Sequence, residues 1–117
     1  MILGIQASRS FDDYAVFLRA MRTVLSAIEE DDNWLYIYSA GPAELNSMAI
    51  GFANITEKSL KAQGIKIQVR KVPAKWFEEY MHEIDMFAYF CKPKEPQSRL
   101  VDLADNLDMN PYVYRFA

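Results

Sequence analysis

Residues 2–14, Ile-Leu-Gly-Ile-Gln-Ala-Ser-Arg-Ser-Phe-Asp-Asp-Tyr, decide the fold. The apolar run Ile2 to Ala7 reads as a buried strand, Ser8-Arg9-Ser10 as a polar turn, and an amphipathic helix begins within a few residues. This order brings a hydroxyl, a guanidinium and a helix N-terminus to the carboxyl end of a core strand. Open α/β sheets bind their ligands there.

The same alternation continues outward from this stretch. Tyr14, Phe17, Leu18, Met21, Leu25 and Ile28 recur at helical spacing on one face. Ser10-Phe11-Asp12-Asp13 has the form of a capping box, and its aspartates suit a positive helix end. The acidic run Glu29 to Asp32, with Asn33, reads as a solvated loop. Trp34 to Tyr38 is continuously apolar or aromatic and short, as a strand covered on both faces would be. Ser39-Ala40-Gly41-Pro42 makes a turn, with Pro42 suited to a first helical position. The helix that follows carries Leu45, Met48, Ala49, Phe52 and Leu60. Gly51 and Asn54 leave open whether it is one helix or two, and Gly64 fits its C-terminal cap.

Ile65, Ile67 and Val69 alternate with Lys66, Gln68 and Arg70, as in a strand near a sheet edge. Trp76 to Glu83 reads as a short helix and Met86 to Phe90 as another buried strand. Pro93 and Pro96 force a loop, Ser98 can cap a last helix through Leu107, and Pro111 to Phe116 closes the chain as a strand. The expected architecture is a single α/β domain over residues 1–117. It is a Rossmann-like three-layer sandwich, βαβαβαβαβ, with a mostly parallel five-stranded sheet centred on the strands from Ile2, Trp34 and Met86.

Composition sets limits on function. With 117 residues and 51% hydrophobic content, the chain can build one real core. Its net charge of −3 argues against a duplex nucleic-acid binder, whose affinity rests on a basic footprint. The lone Cys91 allows no internal disulfide. With no signal peptide or apolar span, this leads to the expectation of a cytoplasmic protein without a membrane partner.

Several residues resemble a known family. Ala7-Ser8-Arg9-Ser10-Phe11 is similar to the Gly-Ser-Arg-x-Phe turn of small stand-alone SLOG proteins, in particular their YspA-like branch. These are Rossmann-like nucleotide-binding domains related to DprA and to the lonely-guy phosphoribohydrolases. Ser39-Ala40-Gly41-Pro42-Ala43-Glu44-Leu45-Asn46 aligns with that branch's Ser-Gly-Gly-Ala-Arg-Gly-Ala-Asp motif, and Pro73-Ala74-Lys75-Trp76 with its Pro-Ala-Asp-Trp. The resemblance implies ligand contacts from Ser8, Arg9, Ser39 and Gly41, with Gln97 and Ser98 as weaker additions. The departures weaken the phosphate cradle. Only Gly41 of its glycines remains, Ala43 replaces the arginine, Glu44 adds a negative charge to the first helical turn, and Pro96-Gln97 replaces a Gly-Thr turn.

Catalytic and metal readings find little support. His82 is the only histidine, and Glu79-x-x-His82 occurs once, without the second copy and further glutamates of a di-metal site. No serine or cysteine has a histidine partner in the pattern of a triad. The expectation is therefore no catalytic residue, no metal and no cofactor. Lys92, Lys94 and Arg99 fall at the same carboxyl edge, either solvated or offsetting Glu44. The resemblance implies two functions. One is non-catalytic recognition of a nucleotide or ADP-ribose-type small molecule. The other is a degenerate domain without ligand that works through protein contacts, such as a small regulator or inhibitor of the kind phages encode. Tyr112, Tyr114 and Phe116 form a candidate homodimer face on the last strand.

Overall fold

Side-chain alternation along the first strand sets the two layers of the core. In the computed structural model, which describes residues 1–115, β1 (Ile2–Ala7) turns Leu3, Ile5 and Ala7 to one face. The other face carries Gly4, where an added Cβ would lie 2.5 Å from Phe77 and 2.8 Å from Ile84. Only a glycine lets that helix approach so closely. The remaining elements are α1 (Tyr14–Ser26), β2 (Trp34–Ser39), α2 (Ala43–Ala62), β3 (Lys66–Lys71), α3 (Ala74–Tyr80), β4 (Met86–Cys91), α4 (Arg99–Asn106) and β5 (Tyr112–Arg115). A 3-10 turn, Met81–Glu83, extends α3.

The five strands lie in the order β3-β2-β1-β4-β5, and every neighbouring pair is parallel. The expected Rossmann-like sandwich and its central strands are therefore present. Helices α1 and α2 pack on one face through Phe17, Met21, Val24, Leu45 and Phe52, while α3 and α4 pack on the other through Phe77, Leu100 and Val101. Because β2 lies to one side of β1 and β4 to the other, the chain reverses direction across the sheet between β1 and β4. The loops after these two strands diverge to opposite faces, which is the switch point where open α/β sheets place a ligand crevice.

Local chemistry explains most element boundaries. Asp13 caps α1 by accepting the Val16 amide at 3.1 Å, three residues later than the Ser10 box would place the cap. At the end of α2, Gly64 (φ +80°) donates to Lys61 while Ile65 donates to Leu60, which is a Schellman motif. Helix α2 is continuous through Gly51 and Asn54. Pro42 is its cap rather than its first residue.

Two further expectations change. Strand β2 is buried on one face only: Leu35, Ile37 and Ser39 are covered, but Trp34, Tyr36 and Tyr38 remain half-buried. The cause is the shortness of α3, whose Trp76 reaches only Tyr38, at 4.7 Å between rings. These aromatics stack on one another instead, at 5.1 and 6.3 Å. On α1, Tyr14 and Leu18 face outward, and the smaller Ala20 completes the buried stripe. On β5, Tyr112 and Tyr114 share a face as expected, whereas Phe116 lies outside the described residues.

Candidate functional site

The crevice is built from the residues that leave β1 and β4. Directly after β1, the Ser8 amide donates to the Phe90 carbonyl of β4 at 2.8 Å, and the Ser8 carbonyl accepts from Phe11 at 3.1 Å. Ser8 is thereby held against the end of β4 and almost fully buried. Its hydroxyl lies 3.3 Å from that of Ser10, which donates to the Glu95 carboxylate at 3.4 Å.

Glu95 comes from the loop after β4. Its backbone amide donates to the Lys92 carbonyl at 3.1 Å, and its carboxylate accepts the Lys92 amide at 2.6 Å, so the turn is closed from both directions. The guanidinium of Arg115, at the end of β5, donates to the carbonyls of Lys92, Pro93 and Glu95 at 3.3, 3.1 and 3.0 Å. The Lys92 amide is the main cause that holds the Glu95 carboxyl below its ordinary range; desolvation opposes it, and the Ser8 and Ser10 hydroxyls and the Lys92 charge add smaller lowering effects. An amide, two hydroxyls and a cation at the carboxyl edge of a parallel sheet make an anion-receptive cluster. Here the anion is the chain's own side chain.

The other expected ligand residues divide into those held by the fold and those left free. Ser39 is fully buried; its hydroxyl donates to Asn46 Oδ1 at 2.5 Å and accepts the Gly41 amide at 3.3 Å, tying β2 to the first turn of α2. Gly41 (φ +90°) passes its carbonyl to the Ala7 amide at 3.0 Å, locking this turn against β1. Ser98 caps α4 by accepting the Leu100 amide at 3.1 Å, while its hydroxyl donates to Gln6 Oε1 of β1 at 2.5 Å. Gln97 is exposed.

Arg9 is exposed and, among the described residues, makes no hydrogen bond or ion pair. Glu44 is likewise exposed in the first turn of α2. Of the three loop cations, Lys92 faces Glu95, whereas Arg99 pairs with Glu78 on α3 at 2.7 Å. Glu95, Ser10, Arg115 and Asn46 were not singled out from the sequence. Glu95 sits between two prolines in a charged loop, and nothing in its neighbours distinguishes it from Lys94.

Two potential reacting groups remain: Cys91, directly before Lys92 at the end of β4, and His82. Burial pushes the Cys91 thiol up, away from the thiolate form that reacts. His82 is exposed in the turn that enters β4, at the opposite edge of the sheet from Ser8. Among the described residues, no group of three or more His, Cys, Asp or Glu side chains is arranged to hold a metal ion. No helix among them is long and apolar enough to cross a membrane.

The fold is that of a Rossmann-like α/β domain, with the Glu95 carboxylate held by the Lys92 amide and the Ser10 hydroxyl at the carboxyl edge of its sheet. Comparison with family models, with curated proteins and with solved structures finds no match to this chain.

Proposed function

We propose that the protein is a non-catalytic binding domain that works through protein contacts, with its small-molecule crevice closed by its own Glu95. The observation that carries this reading is the Glu95 carboxylate on the Lys92 amide and the Ser10 hydroxyl, beside Ser8. A nucleotide phosphate would need the same donors. It would also meet a carboxylate in like-charge repulsion, with Glu44 adding to it. Ser39 and Ser98, which the SLOG resemblance would assign to ligand, spend their hydroxyls on Asn46 and Gln6.

One observation favours the second reading, recognition of a nucleotide or ADP-ribose-type ligand. Arg9 stands free beside the cluster, and a guanidinium grips phosphate in two-pronged fashion. In that reading the ligand's phosphate exchanges with Glu95. A mass spectrum of small molecules released from the purified protein separates the two. An empty protein is expected, and a stoichiometric adenine-containing species would overturn the first reading in favour of the second.

A further inference from the structure

Charge is distributed unevenly along this chain. Residues 62–77 hold four of its thirteen cations (Lys66, Arg70, Lys71 and Lys75) and no acid, so this stretch is +4 while the rest of the chain carries −7. Three of these cations lie on β3, the strand at the end of the sheet order.

The free side of β3 has two chemically different walls. Its register with β2 pairs Lys66 with Trp34 and Gln68 with Tyr36 where α3 leaves the face open, and Arg70 with Tyr38, on which Trp76 packs. Lys66 Nζ lies 5.4 Å from the Trp34 ring and the Arg70 guanidinium 6.0 Å from that of Tyr38, so rings hold both cations in position. On the opposite face, Ile67 and Val69 join Ile50 and Ala53 of α2 in a hollow of about 270 Å³ whose lining also includes Asn54, Glu57 and Gln68. Between the walls runs the strand's backbone. The amides of Lys66 and Val72 donate inward to the Asn33 and Ser39 carbonyls, so strand alternation turns those of Ile67, Val69 and Lys71 outward.

We infer that this edge accepts an extended segment of a partner protein in which acidic residues alternate with apolar ones, added to the sheet beside β3. An added strand sends successive side chains to opposite faces. One set would meet Lys66 and Arg70, the other the hollow at Ile67 and Val69. Alternating acid and apolar residues satisfy both walls at once. A second copy of this chain fits poorly, because pairing β3 with β3 sets lysine and arginine against their own kind. Single-stranded nucleic acid is disfavoured because Trp34, Tyr36 and Tyr38 already cover one another's ring faces. The inference rests on the reading that the protein works through protein contacts, and it names the partner's chemistry.

The test is an amide NMR titration of the full chain with a short capped peptide alternating valine with glutamate. Parallel titrations use a valine–lysine peptide and an oligothymidylate. Shifts at Ile67, Val69 and Lys71, with hydrogen exchange there slowed about tenfold or more, are expected from the glutamate peptide alone. Lys66→Glu with Arg70→Glu, both at exposed positions, should weaken this binding by about tenfold or more. The inference is overturned if the glutamate peptide leaves these amides unmoved, if the lysine peptide binds equally, or if only the oligothymidylate binds β3. A nucleotide bound at Ser8 and Ser10 would instead overturn the proposed function and leave the β3 result to stand by itself.

Discussion

The amide of Lys92 donates to the carboxylate of Glu95 at 2.6 Å, and the Glu95 amide returns a bond to the Lys92 carbonyl at 3.1 Å. This reciprocal turn carries a negative charge back into the crevice between β1 and β4. It makes the loop after β4 part of the crevice wall, and its consequences can be measured.

Acid should loosen the loop. The Glu95 carboxyl is held below the ordinary glutamate value of 4.5, chiefly by the Lys92 amide. A group with a lowered folded pKa contributes stability that is full above its unfolded value and lost as pH falls through the folded one. The Lys92 amide resonance should therefore be steady at neutral pH and move only below about 4.5, the ordinary value. In Glu95→Gln that movement should vanish, as an NMR pH titration of both proteins would show.

Arg115 should matter locally rather than globally. It is exposed, yet it ties three carbonyls of the 92–95 loop to the end of β5. Arg115→Ala is expected to speed hydrogen exchange at Lys92 and Glu95 while lowering global stability by only about 0.5–1.5 kcal/mol, the net range for ordinary hydrogen bonds. Exchange measured alongside urea unfolding separates the local effect from the global one.

Ser39→Ala should behave as a core mutation. It removes the hydroxyl that joins Asn46 to the Gly41 amide at a fully buried position. Leaving buried partners unpaired costs about 1–3 kcal/mol, which denaturant unfolding would detect.

Gly4→Ala should destabilise by about 1–3 kcal/mol, the usual range for overpacking a filled core. The new methyl would meet the buried Phe77 ring at 2.5 Å, closer than the ring can yield without shifting α3. A lowered thermal midpoint with an unchanged far-ultraviolet spectrum is the expected result.

The sheet was legible because its signals are local and redundant. Ile2 to Ala7 is apolar apart from Gln6, Met86 to Phe90 is apolar or aromatic throughout, and the Lys66 to Arg70 alternation is that of an edge strand, as β3 is. Strand β2 misled because an apolar, aromatic run is compatible with cover on both faces; only the length of α3 decides how much of it is covered. The meeting of the Ser8–Ser10 turn with the loop after β4 at the carboxyl edge follows from the strand order. The side chains that meet there were not legible. The contact of Ser10 with Glu95 spans 85 residues and depends on a turn closed by backbone and side chain together, which no spacing rule encodes.

The central claim is that Glu95 holds the anion position in the crevice. Carbon-13 NMR of the Glu95 carboxyl group, titrated with pH in the absence and presence of excess ADP-ribose, tests it most directly. The account expects a pKa below the ordinary glutamate value and no response to ADP-ribose. An ordinary pKa, or a carboxyl resonance that moves to its solvent-exposed position as ADP-ribose binds and stays put in Arg9→Ala, would contradict it.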